Sequence, residues 1–74
     1  MPTASEWEDR AKRLLRAEMA RRGVTYQQLA DKLAEIGIAQ DEHNLRNKVA
    51  RGKFTAAFLL QCLEALGVDQ VNLR

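Results

Sequence analysis

The sequence is sparing with the residues that make covalent or metal chemistry. Its single cysteine, Cys62, excludes an internal disulfide. Cys62 lies among Leu59, Leu60 and Leu63, where a free thiol acts as a small apolar group, and this fits a reducing cytoplasm. The single histidine, His43, has Asp41 and Glu42 beside it but no second histidine and no nearby cysteine. A metal-ligand set is therefore incomplete, His43 reads as a solvated or outward-facing side chain, and no cofactor is expected. A Gly-rich phosphate loop is absent, and Ser5 has no partnered histidine in a nucleophile motif. Seventy-four residues also leave little room for a pocket, so the chain is not expected to be an enzyme. The longest apolar run, Ala56 to Leu60, falls far short of the roughly 20 residues that span a bilayer. Trp7 to Arg13 is charged where a secretory leader would need an apolar run. No membrane association and a cytoplasmic location are expected.

Net charge is also scarce, at +2, and its distribution says more than its size. Residues 1–24 carry six Lys/Arg against four acids, and residues 38–53 carry four against two. The segments between and after them are each at −1. Two positive segments on an otherwise balanced surface fit contact with a polyanion. Ordinary solvated helix faces would give the same pattern.

What the chain has in quantity is apolar residues at helical spacing, 46% of the total, which argues for a folded all-helical chain. Ser5-Glu6-Trp7-Glu8 has the form of a capping box, so Met1 to Ala4 is expected to be a frayed lead-in. Trp7, Ala11, Leu14, Leu15 and Met19 fall on one stripe, predicting a core-facing helix over about 6–22 that ends at Gly23. Glu6–Arg10, Glu8–Lys12 and Asp9–Arg13 are spaced for ion pairs on the other side. Thr25 and Gln28 form a second capping box, with Val24 and Leu29 at staple spacing. Leu29, Ala30, Leu33 and Ile36 make the buried face of the next helix, and Gly37 ends it.

A turn at 38–40 leads to a third helix capped by Asp41 or Gln40 and stopped by Gly52. This helix is polar nearly all round and has only Leu45 and Val49 as anchors. Such a helix is unusual unless it is paired or presented to something. Phe54 and Leu59 flank Thr55 with staple spacing, so a fourth helix runs from about Ala56 to Leu66, with Phe58, Leu59, Cys62, Leu63 and Leu66 as its stripe. The tail from Val68 alternates weakly; docking Val68 and Val71 on the core, pairing with a second chain, and fraying are all open. The expected fold is one all-α domain over 1–74. It is a compact bundle of four or five short helices, with a core over 5–67, a tail over 68–74, and a helix-turn-helix at its centre.

The stretch from Thr25 to Gly52 has what a helix-turn-helix needs to read DNA. A helix in the major groove must offer bidentate donors and acceptors. Asn44 and Asn47 can each give both to adenine, Arg46 and Lys48 suit guanine or phosphate, and Arg51 and Lys53 suit phosphates at the exit. Thr25 and Gln27, at the opening of the preceding helix with Tyr26, can offer another phosphate site. The set expected to meet double-stranded DNA is thus His43, Asn44, Arg46, Asn47, Lys48, Arg51, Lys53, Thr25 and Gln27.

Gln27-Gln28-Leu29-Ala30, then Asn47-Lys48-Val49-Ala50-Arg51-Gly52, then Ala65-Leu66-Gly67-Val68 together resemble the lambda-repressor-like helix-turn-helix family over about residues 10–68. The run from His43 to Gly67 is more closely similar to a family of short bacterial domains labelled only as of unknown function. The resemblance implies a bacterial transcriptional regulator, with a homodimer left open as its working form. The chain departs from the broad pattern by about three extra residues, Ala34-Glu35-Ile36, and by a longer interval from Gly37 to Gly52. Asp41 and Glu42 stand where the helix would approach DNA; they can repel phosphate, accept from cytosine N4, or cap the helix. The alternative is a protein-interaction or oligomerisation module that keeps the fold without binding DNA.

Overall fold

The computed structural model describes residues 3–73. Four helices follow in order: α1 (Ala4–Arg22), α2 (Tyr26–Glu35), α3 (Glu42–Arg51) and α4 (Ala56–Leu66). The fold is all-α. Both α3 and α4 pack against α1 and α2. The core holds Leu15 and Met19 from α1, Leu29, Ala30 and Leu33 from α2, Leu45 and Val49 from α3, and Phe58, Cys62, Leu63 and Leu66 from α4. Val68 closes it from the tail, while Val71 stays exposed.

Each helix begins on a side-chain oxygen that takes an otherwise orphaned N–H. Thr25 accepts from Gln28 N–H at 3.1 Å, and the Gln28 side chain returns the bond to Thr25 N–H at 2.9 Å, completing the expected box. Asp41 caps α3 by accepting from Asn44 N–H at 2.7 Å. Thr55 caps α4 by accepting from Phe58 N–H at 3.0 Å. Val24, Phe54 and Leu59 are half-buried against the core, where staple residues fix the angle at which each helix enters.

The start of α1 differs from expectation. Thr3, not Ser5, is the cap, accepting from Glu6 N–H at 3.2 Å. Thr3 offers the same hydroxyl two residues earlier, so the helix gains half a turn, and Ser5 and Ala4 lie inside it. Only Met1 and Pro2 of the expected lead-in lie outside the described residues. Trp7, expected in the core, is 53% exposed. At 19 residues, α1 is nearly twice as long as its partners, so the three short helices cannot cover all of its apolar flank. Arg10 stacks over the Trp7 ring at 4.6 Å instead of pairing with Glu6, and Lys12 pairs with Asp9 at 3.3 Å instead of with Glu8. The Asp9–Arg13 pair forms as expected, at 3.3 Å.

Ile36 is likewise exposed, not buried. The helix stops at Glu35, and Ile36 turns away with φ −102° and ψ 18°. Its place is taken by Ile38, which packs on the core and donates its N–H to the Leu33 carbonyl at 2.9 Å. Glu18 is an unanticipated buried acid, 2% exposed, beside Arg21 at 2.8 Å and Arg22 at 3.8 Å. Arg21 hydrogen-bonds one carboxylate oxygen and Arg22 offers only its charge to the other, Oε1, which has no hydrogen-bond partner among the described residues, so the desolvation cost is offset in part.

Of the four glycines, only Gly52, which ends α3 with φ +69°, is approached closely by another segment. A Cβ added there would sit 2.7 Å from the Glu8 carbonyl oxygen of α1. Lys12 of α1 reaches the same helix end and donates to the Ala50 carbonyl at 3.4 Å, satisfying one of the carbonyls a helix leaves orphaned. At Gly37, with φ +84°, the same added Cβ would meet nothing. Gly37→Ala is therefore expected to cost about 1–2 kcal/mol, the left-handed strain alone. Gly52→Ala adds a clash with backbone and is expected to cost about 2–5 kcal/mol in total; urea unfolding of the two variants side by side checks the difference.

Burial pushes the Cys62 thiol up to about 11 from its ordinary 9.0, with the Lys48 ammonium pulling weakly the other way. The folded state thus holds this proton more tightly than the unfolded chain. Its contribution is fully present below pH 9 and is lost as pH rises through about 11. The loss should approach about 3 kcal/mol. It is measured as the pH dependence of unfolding that wild-type protein shows and Cys62→Ala does not.

Candidate nucleic-acid interface

Ten residues is short for a helix to be stable on its own, so α3 depends on what holds it. Leu45 and Val49 are both fully buried, and burying two such side chains contributes about 3–6 kcal/mol together. Everything else about α3 follows from helical geometry around those anchors. His43, Asn47 and Arg51, each four residues apart, form the line furthest from the core. Asn44 and Lys48 lie on the flank toward α4, where the Lys48 ammonium sits 5.0 Å from the Phe58 ring. Arg46 lies on the flank toward α2, with its guanidinium 5.4 Å from the Tyr26 ring.

All nine residues singled out from sequence are solvent-exposed: His43, Asn44, Arg46, Asn47, Lys48, Arg51, Lys53, Thr25 and Gln27. Six of them are brought together on α3, and Lys53 follows in its exit turn. Several already hold polar partners. Asn44 donates from its side chain to Asp41 at 3.0 Å, Arg46 pairs with Glu42, and the Asn47 amide lies 3.3 Å from His43 Nε2. On α2, Gln27 donates to Asp31 at 3.1 Å, and the Thr25 hydroxyl is occupied as the cap. Among the described residues, Arg51 and Lys53 form no ion pair. Glu42 stands in the first turn of α3, and Lys48 and Arg51 in its last, the arrangement a helix dipole favours at both ends. Asp41 and Glu42 thus have a structural occupation as a cap and as a partner for Arg46.

One participant was not legible in the sequence. Arg16 of α1 donates through Nε to the Tyr26 hydroxyl at 3.3 Å. Tyr26 therefore stands between two guanidiniums, Arg16 at its hydroxyl and Arg46 on its ring, and ties α1, α2 and α3 together beside the N-terminus of α2. Arg16 lies off the apolar stripe of α1, where it reads like any solvated arginine; only the packing angle of α2 gives it a neighbour.

No group of three or more His, Cys, Asp or Glu among the described residues is placed to hold a metal ion. No helix among them is long and apolar enough to cross a membrane.

The capping role of Asp41 separates from any other role it has. Asp41→Ala is expected to cost about 1 kcal/mol, and Asp41→Ser to stay within about half of that. Thermal unfolding of the two variants reads the cap; a ligand affinity that changes equally in both reads the lost carboxylate.

No curated protein and no solved structure matches this chain. The profile of a family described as Domain of unknown function (DUF6471) matches residues 7–71. That span takes in all four helices but for the first three residues of α1, and the chain belongs to this family.

Proposed function

We propose that this domain is a DNA-binding helix-turn-helix module of the lambda-repressor-like kind, a bacterial transcriptional regulator that reads the major groove with α3. The observation that carries the reading is α3 itself. It is a short helix anchored by two residues, with an outward line of His43, Asn47 and Arg51 and a cationic end at Lys48, Arg51 and Lys53. A side chain with donor and acceptor at Asn47 suits a base edge, while cations clustered at one end suit phosphates. The turn at 36–41 and the packing of α2 on α3 fit the first half of such a motif. Arg16 and Arg46, held around Tyr26, flank the N-terminus of α2, where backbone N–H groups favour a phosphate.

Anisotropy titration against pooled genomic fragments tests the reading. Binding should fall steeply with salt, and Arg16→Ala or Arg51→Ala should each lower the slope of log affinity against log salt by about one. Asn47→Ala should cost about 1–3 kcal/mol on the preferred site and relax its specificity. Glu42→Gln should tighten binding, because it removes a carboxylate from the approach and releases Arg46. Binding that is absent, or insensitive to salt, would sink the proposal.

A second reading is favoured by the way α3 satisfies itself. Asp41–Asn44, Glu42–Arg46 and His43–Asn47 pair within the helix, as they would in an interaction module whose polar helix meets another protein. Reversing the charges of Arg46 and Lys48 separates the two, since that double change disturbs assembly in one case and abolishes DNA binding in the other.

A further inference from the structure

Apolar surface left uncovered is concentrated on the side of the molecule away from α3. Four of the five large exposed hydrophobic residues, Trp7, Leu60, Val71 and Leu73, lie on α1, α4 and the tail that runs between them. They border two neighbouring hollows. The larger, about 630 Å³, is walled by Trp7, Leu14 and Ala17 of α1, Leu59 of α4 and Leu73 of the tail. Its rim carries Arg10, Arg13 and Arg21 together with Glu18, which holds Arg21 at 2.8 Å, while Arg13 holds Asp9 at 3.3 Å. The Arg10 guanidinium donates to the Leu73 carbonyl at 3.1 Å, holding the tail along the groove. The smaller, about 400 Å³, is walled by Leu60, Leu63, Val68 and Val71, and its rim carries Glu64 and Asp69. The larger hollow occupies the flank of α1 opposite to the one that reaches α3 through Lys12 and Tyr26 through Arg16.

The geometry points to a second copy of this chain as the occupant of this face. An apolar hollow lined by three arginines against one carboxylate, Glu18, and an apolar hollow rimmed by two carboxylates carry opposite net charge, so each complements the other and not itself. The first is built mainly on α1 and the second on α4, and the tail borders both, so a two-fold axis passing between them sets the basic hollow of one protomer on the acidic hollow of the other, and does so twice. A closed, isologous pair satisfies both at once. Leu60 and Val71 of each copy enter the groove beside Trp7 and Leu73 of its partner, and Glu64 and Asp69 meet Arg13 and Arg21. A standard interface takes about 800 Å² from each partner, a modest share of the 5194 Å² surface of this chain. The pairing leaves α3 of both protomers outward, and it is independent of what α3 binds.

Sedimentation equilibrium of the full chain without any nucleic acid tests this directly. The wild-type protein is expected to be a dimer at roughly 100 µM, with a Kd of micromolar order or below. Leu60→Asp, at a residue 66% exposed, should give a monomer of unchanged helicity whose melting temperature, unlike that of the wild type, does not rise with protein concentration. Arg13→Glu alone and Glu64→Arg alone should each weaken association by about tenfold or more, and the double exchange should recover most of the loss, as a charge-paired contact requires. A wild-type protein that stays monomeric at that concentration overturns the proposal. So does a dimer indifferent to Leu60→Asp, or one whose charge exchange shows no recovery. Capture of the monomeric wild-type chain by anionic vesicles, lost in Leu60→Asp, would assign the face to a lipid surface instead. Failure of DNA binding has no bearing on any of these readouts.

Discussion

The molecule depends on a place where two backbones meet without a side chain between them. Gly52 brings the end of α3 against the Glu8 carbonyl of α1, closer than any Cβ would permit. Two consequences follow. The left-handed turn that ends α3 is fixed against the longest helix in the chain, so the direction of α3 is set by rigid backbone and not by flexible side chains. The next helix then begins only four residues later, at Ala56, with its own entry angle held by Thr55 and Phe54. Lys12 reinforces the contact from α1 by serving the carbonyl of Ala50. A helix with two apolar anchors is thereby held at both ends, by Asp41 at its start and by α1 at its finish.

That arrangement explains how so polar a helix stays folded while remaining outward-facing. Its stability comes from below and from its ends, which leaves the outer line of His43, Asn47 and Arg51 without a structural duty in the core. The pairs that form along the helix surface, such as Glu42 with Arg46, are exposed and contribute little to stability. They can be exchanged for contacts to a partner at small cost. The Tyr26 cluster works the same way across helices, holding Arg16 and Arg46 near the opening of α2 without burying either charge.

Four helices, the caps of the last three and most of the core were legible in the sequence because each rests on a local rule. Thr25 with Gln28, Asp41, Thr55 and the terminating glycines declare their roles within a few residues. Most of the departures arise where a longer-range fact decides. Trp7 lies on the apolar stripe of α1 but beyond the reach of the short helices. Ile36 has the right spacing for the face of α2 but falls one residue past its end, so Ile38 packs in its place. Ser5 and Thr3 are equally good caps, and the longer helix prevails. Glu18 is buried because its position on α1 faces α4 and the tail, with Arg21 and Arg22 to hold it. For the candidate site, the sequence identified the exposed side of α3 from what remained after Leu45 and Val49 were assigned. It could not reveal that Asn44, Arg46 and Asn47 already have partners within the helix, nor that Arg16 stands beside Tyr26, because both depend on rotamer and packing angle.

The burial of Cys62 carries a consequence of another kind. The thiol sits on α4, which packs on both α1 and α2, and it is fully enclosed and kept protonated. No motion confined to the outer line of α3 or to the tail beyond Val68 exposes it. A reagent for thiols can therefore reach this chain only during excursions that separate α4 from the rest. The rate of its modification then reports how often the whole core opens. The protein carries, at a single atom, a clock for its own cooperative unfolding.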